Sequence, residues 1–143
     1  DVGSIYRGYC SDIARVYSLG EPSPRARKIY DAVLKGEELA IEKTRAGMHA
    51  SELFQLTMEA VRADGIPEYR RHHVGHGIGS EVYEPPILAP KSNDLIEAGC
   101  VINIETPYYE YGLGALHVED PYLVSADGNN ELLSDLPRGL QVL

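Results

Sequence analysis

Apolar positions follow a helical spacing in one part of the chain and short extended runs elsewhere. From Pro24 to about Arg45, Tyr30, Val33, Leu34 and Ile41 recur at helical intervals, with lysines and glutamates mostly between them. That spacing predicts a long helix. Ser23 is placed to cap it, Pro24 suits its first turn, and Gly47 is a natural stop. A second helix is expected over Ser51–Ala63, with Leu53, Leu56 and Ala60 on one face and Gly65-Ile66-Pro67 ending it. Ahead of the helices, Val2–Tyr6 and Tyr9–Tyr17 are rich in β-branched and aromatic residues around Arg7-Gly8, which predicts a strand pair. From Tyr69 to residue 90, Gly, Pro and His dominate, so loops and short strands are expected. Asp94–Gly99 reads as a turn. Cys100–Tyr108 and Leu116–Ser125 read as strands joined through Gly112 and Gly114 into an antiparallel hairpin, with a last short strand at Glu131–Leu133. A strand pair, two helices and then strands make an α+β fold with an antiparallel sheet.

Length and charge narrow the function. The 143 residues suit one domain, and 43% hydrophobic with 24% charged residues is a globular balance. A net charge of −9 argues against general nucleic-acid binding but leaves room for a local acidic metal site. No apolar run approaches the ~18 residues of a membrane span, and with no basic patch before an apolar stretch at Asp1-Val2-Gly3, no signal peptide is expected there. Cys10 and Cys100 are too few for a disulfide scaffold and read as reduced, buried, inert thiols of a cytoplasmic protein. Lys35, Glu37, Glu38 and Lys43 read as a solvated helix exterior, Arg70-Arg71 as a solvated pair, and Tyr108, Tyr109 and Tyr111 as strand packing.

Five side chains carry the chemistry. Asp1 and Asp12 flank the first hairpin, so folding back brings them together. Glu105 and Glu119 sit in the two later strands and can face each other across the ladder. Both have apolar neighbours, and a carboxylate there is costly unless paired or bound to metal. His76 lies in Gly75-His76-Gly77-Ile78-Gly79, whose small neighbours leave the imidazole clear. Four carboxylates and one imidazole suit two divalent cations, with Mn, Co, Fe or Zn favoured over copper.

In this pattern the sequence resembles the pita-bread metallopeptidases: methionine aminopeptidase, aminopeptidase P, Xaa-Pro dipeptidase and creatinase. The matching stretches are Asp1-Val2-Gly3, Gly8-Tyr9-Cys10-Ser11-Asp12-Ile13-Ala14-Arg15, Gly75-His76-Gly77-Ile78-Gly79, Asn103-Ile104-Glu105 and Val118-Glu119-Asp120. Gly8-Tyr9 and Glu84-Pro85-Pro86 look most like the Xaa-Pro-cleaving branch. The resemblance implies a pita-bread fold, a curved antiparallel sheet with helices on one face. It implies two divalent ions, Mn or Co first and Zn or Fe next, held by Asp1, Asp12, His76, Glu105 and Glu119. Asp12 and Glu119 would bridge them, and a hydroxide between them would attack the scissile carbonyl of a peptide or small amide. Glu105 would also shuttle the proton to the leaving amine. His72 matches an imidazole position near the substrate.

The sequence departs from the family at three positions, the first two of them where it would touch substrate. Tyr83 stands at a usual histidine, His117 at the branch's usual arginine, and Ala14 at a usual threonine. These departures leave the metal site intact and imply a substrate other than the common Xaa-Pro dipeptide. Another C–N hydrolase on the same scaffold, as creatinase is, stays open. So does a pita-bread module that only binds peptides or proteins, although such modules typically lose metal ligands. The chain begins at the first metal ligand, so residues 1–143 are expected to be one catalytic-domain fragment lacking its N-terminal half. The exposed edge of its first strand would be covered by that half or by a second copy. Neither nucleic acid nor membrane is an expected partner.

Overall fold

The computed structural model describes residues 1–143. A hairpin of β1 (Val2–Tyr6) and β2 (Tyr9–Ile13) opens the chain. Arg7 and Gly8 both have positive φ, the backbone a tight primed hairpin turn requires. Val2 pairs with Ile13 and Gly3 with Asp12. One residue further in that register, Asp1 and Asp12 become diagonal neighbours on one face. The second strand stops at Ile13, short of the expected Tyr17. Ala14 bridges instead to Glu119, and β3 (Tyr17–Ser18) pairs in parallel with β11 (Gln141–Val142).

The helices form close to the expected bounds, as α1 (Pro24–Lys43) and α2 (Ala50–Ala63). The Ser23 side chain accepts from the Ala26 amide, and Pro24 sits in the first turn. Thr44, not Gly47, ends α1. Its hydroxyl donates to the Ala40 carbonyl at 2.7 Å and lies 2.7 Å from the Tyr122 hydroxyl. Tyr30, Ala32 and Val33 of α1 and Leu53, Phe54, Met58 and Val61 of α2 build the core.

A five-stranded antiparallel sheet receives these helices. Its order is β10 (Glu131–Leu132), β9 (Glu119–Leu123), β6 (Val101–Glu105), β4 (Gly75–Gly77) and β5 (Glu84–Ile87). The expected hairpin forms, but each arm is broken. Thr106 and Pro107 separate β6 from β7 (Tyr108–Glu110), and His117 and Val118 separate β8 (Gly114–Leu116) from β9. Pro107 has no N–H for a ladder, and the Thr106 hydroxyl leaves the strand to donate to the Val33 carbonyl at 2.8 Å. Along β6, Ile102 and Ile104 join the core with Tyr122 of β9. Strand alternation then turns Asn103 and Glu105 to the other face. That division places the polar cluster.

Four surface assignments are corrected, the first being Arg71, which is part-buried 3.6 Å from Glu105 rather than solvated. Glu37 is fully buried, not exterior. It faces Arg138 at 3.5 Å. Burial first, then the Asp120 charge, raises its carboxyl well above the ordinary range. Cys10 and Cys100 are free, but half-buried rather than buried. Tyr109 and Tyr111 are exposed rather than packed. β1 pairs only with β2 and exposes Val2, Ile5 and Tyr6. No helix is long and apolar enough to cross a membrane.

Candidate metal centre

The first hairpin docks on the main sheet at Ala14 and Glu119, and Cys10 N–H also donates to the Gly79 carbonyl beyond β4 at 2.7 Å. Ala14 N–H donates to the Glu119 carbonyl at 3.2 Å, and Glu119 N–H donates back at 3.3 Å. Arg15 fixes the joint: Nη1 donates to the Glu119 carbonyl at 2.9 Å and Nη2 to Asp120 Oδ1 at 2.6 Å. Asp12 is thereby carried to the face that β6 and β9 turn away from the helices. Glu105 lies directly opposite Glu119 in the ladder, and His76 opposite Asn103.

Two groups of donors result. Asp12, His76 and Glu119 each offer one ligand atom, all within 4.8 Å of one another, and so do Asp1, His117 and Glu119. Glu119 belongs to both, whereas Asp12, the other expected bridge, belongs to one. Its Oε1 accepts from Asn103 Nδ2 at 2.5 Å and lies 4.0 Å from His76 Nε2. Its Oε2 lies 3.3 Å from His117 Nε2. His76 Nδ1 is 3.0 Å from the Gly77 carbonyl oxygen. A carbonyl only accepts, so Nδ1 carries the proton and Nε2 keeps its lone pair toward the cluster. Glu105 stands at the rim of both groups, 3.0 Å from His73 Nδ1, 3.6 Å from Arg71 and 3.7 Å from His117 Nε2.

Four of the five expected ligands thus fall in the two groups, and Glu105 adjoins them. His72 does not reach the cluster. It is exposed, and the neighbouring His73 turns in instead. Residues 70–74 are not a strand, so the four-residue spacing from His76 does not put His72 on the same side. Tyr83 meets the site from β5's approach, its ring 4.5 Å from that of His76 and 5.6 Å from that of His73. Tyr109 stands edge-on to His117 with the Arg71 guanidinium over its face. Asn103 had no expected role beyond its place in the Asn103-Ile104-Glu105 stretch, yet it shares the strand face of Glu105.

Residues 1–126 match the model of metallopeptidase family M24. The chain belongs to that family. It is 34% identical, along its whole length, to the uncharacterized peptidase YqhT of Bacillus subtilis (strain 168), covering 40% of that protein. It is 35% identical to the Xaa-Pro dipeptidase of Pyrococcus furiosus over 92% of the chain and 38% of the relative. The solved Xaa-Pro dipeptidase from Bacillus anthracis superposes with a TM-score of 0.90 at 37% identity, over 96% of this chain and 39% of that one. The expected pita-bread fold is borne out, as part of a domain. The chain spans about 40% of the length of these M24 relatives.

M24 proteins depend on metal, and the electrostatics of this cluster suit a cation. Burial, then the charges of Asp12 and Glu105, pushes the Glu119 carboxyl up to about 8. Burial also raises Asp12. Burial brings His117 down to about 4, leaving it neutral at pH 7. Glu105 goes the other way. Burial alone would raise it, but His73 at 3.0 Å, with His117 and Arg71, holds it below the ordinary carboxylate value. The buried Asn103 Oδ1 and His117 Nε2 have no hydrogen-bond partner. Crowded carboxylates, a neutral imidazole and orphaned lone pairs are what a positive ion relieves.

A pH dependence follows. Glu119's stabilising contribution is complete below its ordinary value of 4.5 and is lost as pH rises through about 8. His117's contribution is complete above 6.5 and is lost as pH falls through about 4. The trends oppose each other between those ordinary values, and only the Glu119 loss remains above pH 6.5. Chelator-treated protein is expected to lose about 1–2 kcal/mol from there to pH 8 in urea unfolding. Saturating cation should flatten that slope, and a flat profile in chelator would contradict the buried carboxyl.

Proposed function

We propose that the intact protein is a dinuclear metal-dependent exopeptidase of the Xaa-Pro type, releasing an N-terminal residue or splitting a dipeptide. The observation that carries this reading is Glu119's membership of two donor groups at once. Asp1, Asp12, His76, Glu105 and Glu119 hold two divalent ions, Mn or Co. When bound, such ions polarise the scissile carbonyl and lower the pKa of the attacking water. Glu105, held deprotonated by His73 and Arg71, accepts the proton and passes it to the leaving nitrogen. His73 takes the place near the substrate expected of His72. Tyr83, beside His76, contacts the substrate, and its burial-raised hydroxyl stays protonated to donate a hydrogen bond. The exposed outer edge of β1 is covered in the intact protein by the rest of its domain or by a second copy.

The test is hydrolysis by the full-length protein, loaded with manganese or cobalt, of a panel of Xaa-Pro peptides and small amides. Cleavage of Xaa-Pro peptides, with the common Xaa-Pro dipeptides poor substrates, is the expected result. Cleavage confined to other amides would support the C–N hydrolase alternative, which Tyr83 and His117 favour. No turnover with both ions bound would overturn the hydrolase reading.

A further inference from the structure

His117 has an orphaned ring nitrogen that no part of the proton shuttle uses. The residue is 7% exposed. Its Nε2 is buried without a hydrogen-bond partner, although it lies 3.3 Å from Glu119 Oε2 and 3.7 Å from Glu105 Oε2. On its other side, Nδ1 is 3.7 Å from Asp1 Oδ2. Resting on the dinuclear reading, we propose that His117 is a ligand of the cation at the Asp1 end of the site rather than a substrate contact, so that each cation position has its own imidazole.

Geometry and donor chemistry support this. Two donors at ~2.1 Å from one ion, set at tetrahedral or octahedral angles, are about 3.0–3.4 Å apart. The separation of 3.3 Å between His117 Nε2 and Glu119 Oε2 falls in that range. A hydrogen bond would explain so short an approach equally well, but none forms. Asp1, His117 and Glu119 form a donor group as tight as Asp12, His76 and Glu119, whose histidine is already an expected ligand. Without His117 the Asp1 end would be all oxygen, a set that suits Mn and Mg. With it, both ends are mixed nitrogen and oxygen, which favours Co and Zn more strongly.

The test uses cobalt with the full-length protein, by calorimetric titration and by proton NMR of the loaded form. Coordinated imidazoles give strongly shifted N–H signals that vanish in heavy water. Two bound cobalt ions and two such signals, from His76 and His117, are expected. His117→Ala should remove one signal and weaken one cobalt site by about 10- to 100-fold, leaving the other unchanged. Native protein that binds two cobalt ions but shows a single shifted N–H overturns this inference alone, whether or not the variant folds. Native protein that takes up fewer than two cobalt ions overturns the dinuclear reading, and this assignment with it.

Discussion

Glu119→Gln is expected to strip the site of both cations while leaving the metal-free fold as stable as before, or more so. The two effects have opposite signs because the carboxylate serves the ions at the fold's expense. Its Oε1 faces His76 and Asn103, and its Oε2 faces His117. Glutamine keeps the shape but replaces one oxygen with an amide nitrogen that cannot ligate. Its remaining oxygen is a neutral, weaker donor. One substitution therefore reaches both donor groups, whereas Asp12→Asn or Asp1→Asn reaches one each. Affinity for the tighter ion should fall about 100-fold, and elemental analysis after dialysis should find less than one ion per chain. Without metal, the native carboxyl holds a proton to about pH 8 because of burial and the nearby carboxylates. Glutamine is the isostere of that protonated form, so the urea midpoint at pH 8 should rise. Two ions retained at native affinity would show that Glu119 is not shared.

The legible parts of the fold were those where one local rule acts over many residues. α1 and α2 carry helical periodicity, and Ser23 and Pro24 mark a start that the structure reproduces. The β6 and β9 runs, joined through a glycine-bearing turn, gave the pairing that sets Glu105 against Glu119. Illegible parts depend on contacts distant in sequence. β4 has only three residues, Gly-His-Gly, too few to alternate, yet it lies inside the sheet between β5 and β6. Glu37 looked exterior among charged neighbours on α1, but Arg138, about a hundred residues on, meets it in the interior. His72 was expected from the family resemblance alone, and on this non-strand segment it is the neighbouring His73 that turns toward Glu105. The metal site was more legible than the fold around it, because its acids and histidine are unusual in apolar strands, whereas the backbone that aims them is not encoded locally.

That backbone can be tested at Gly75, where Gly75→Ala is expected to cost about 2–5 kcal/mol and to displace His76. Gly75 has φ of +149°, a conformation L residues rarely adopt. A Cβ there would lie 2.2 Å from the Asn103 carbonyl oxygen and 2.9 Å from Leu88 Cδ1. The oxygen belongs to the neighbouring strand β6 and cannot withdraw without breaking the ladder that also presents Asn103 and Glu105. Relief must come from moving β4, and His76 moves with it. Thermal unfolding should shift down by about 5–15 °C, and the cation held by Asp12, His76 and Glu119 should weaken in the same variant. Gly79→Ala is the matched control. Its Cβ would meet the Glu84 carboxylate at 2.6 Å, the free end of a flexible side chain. It should cost under about 1 kcal/mol and leave metal affinity unchanged. Equal losses in the two variants would mean that glycines here serve general chain flexibility. A loss confined to Gly75 would mean that the close approach of β4 to β6 is what aims the imidazole at Glu119.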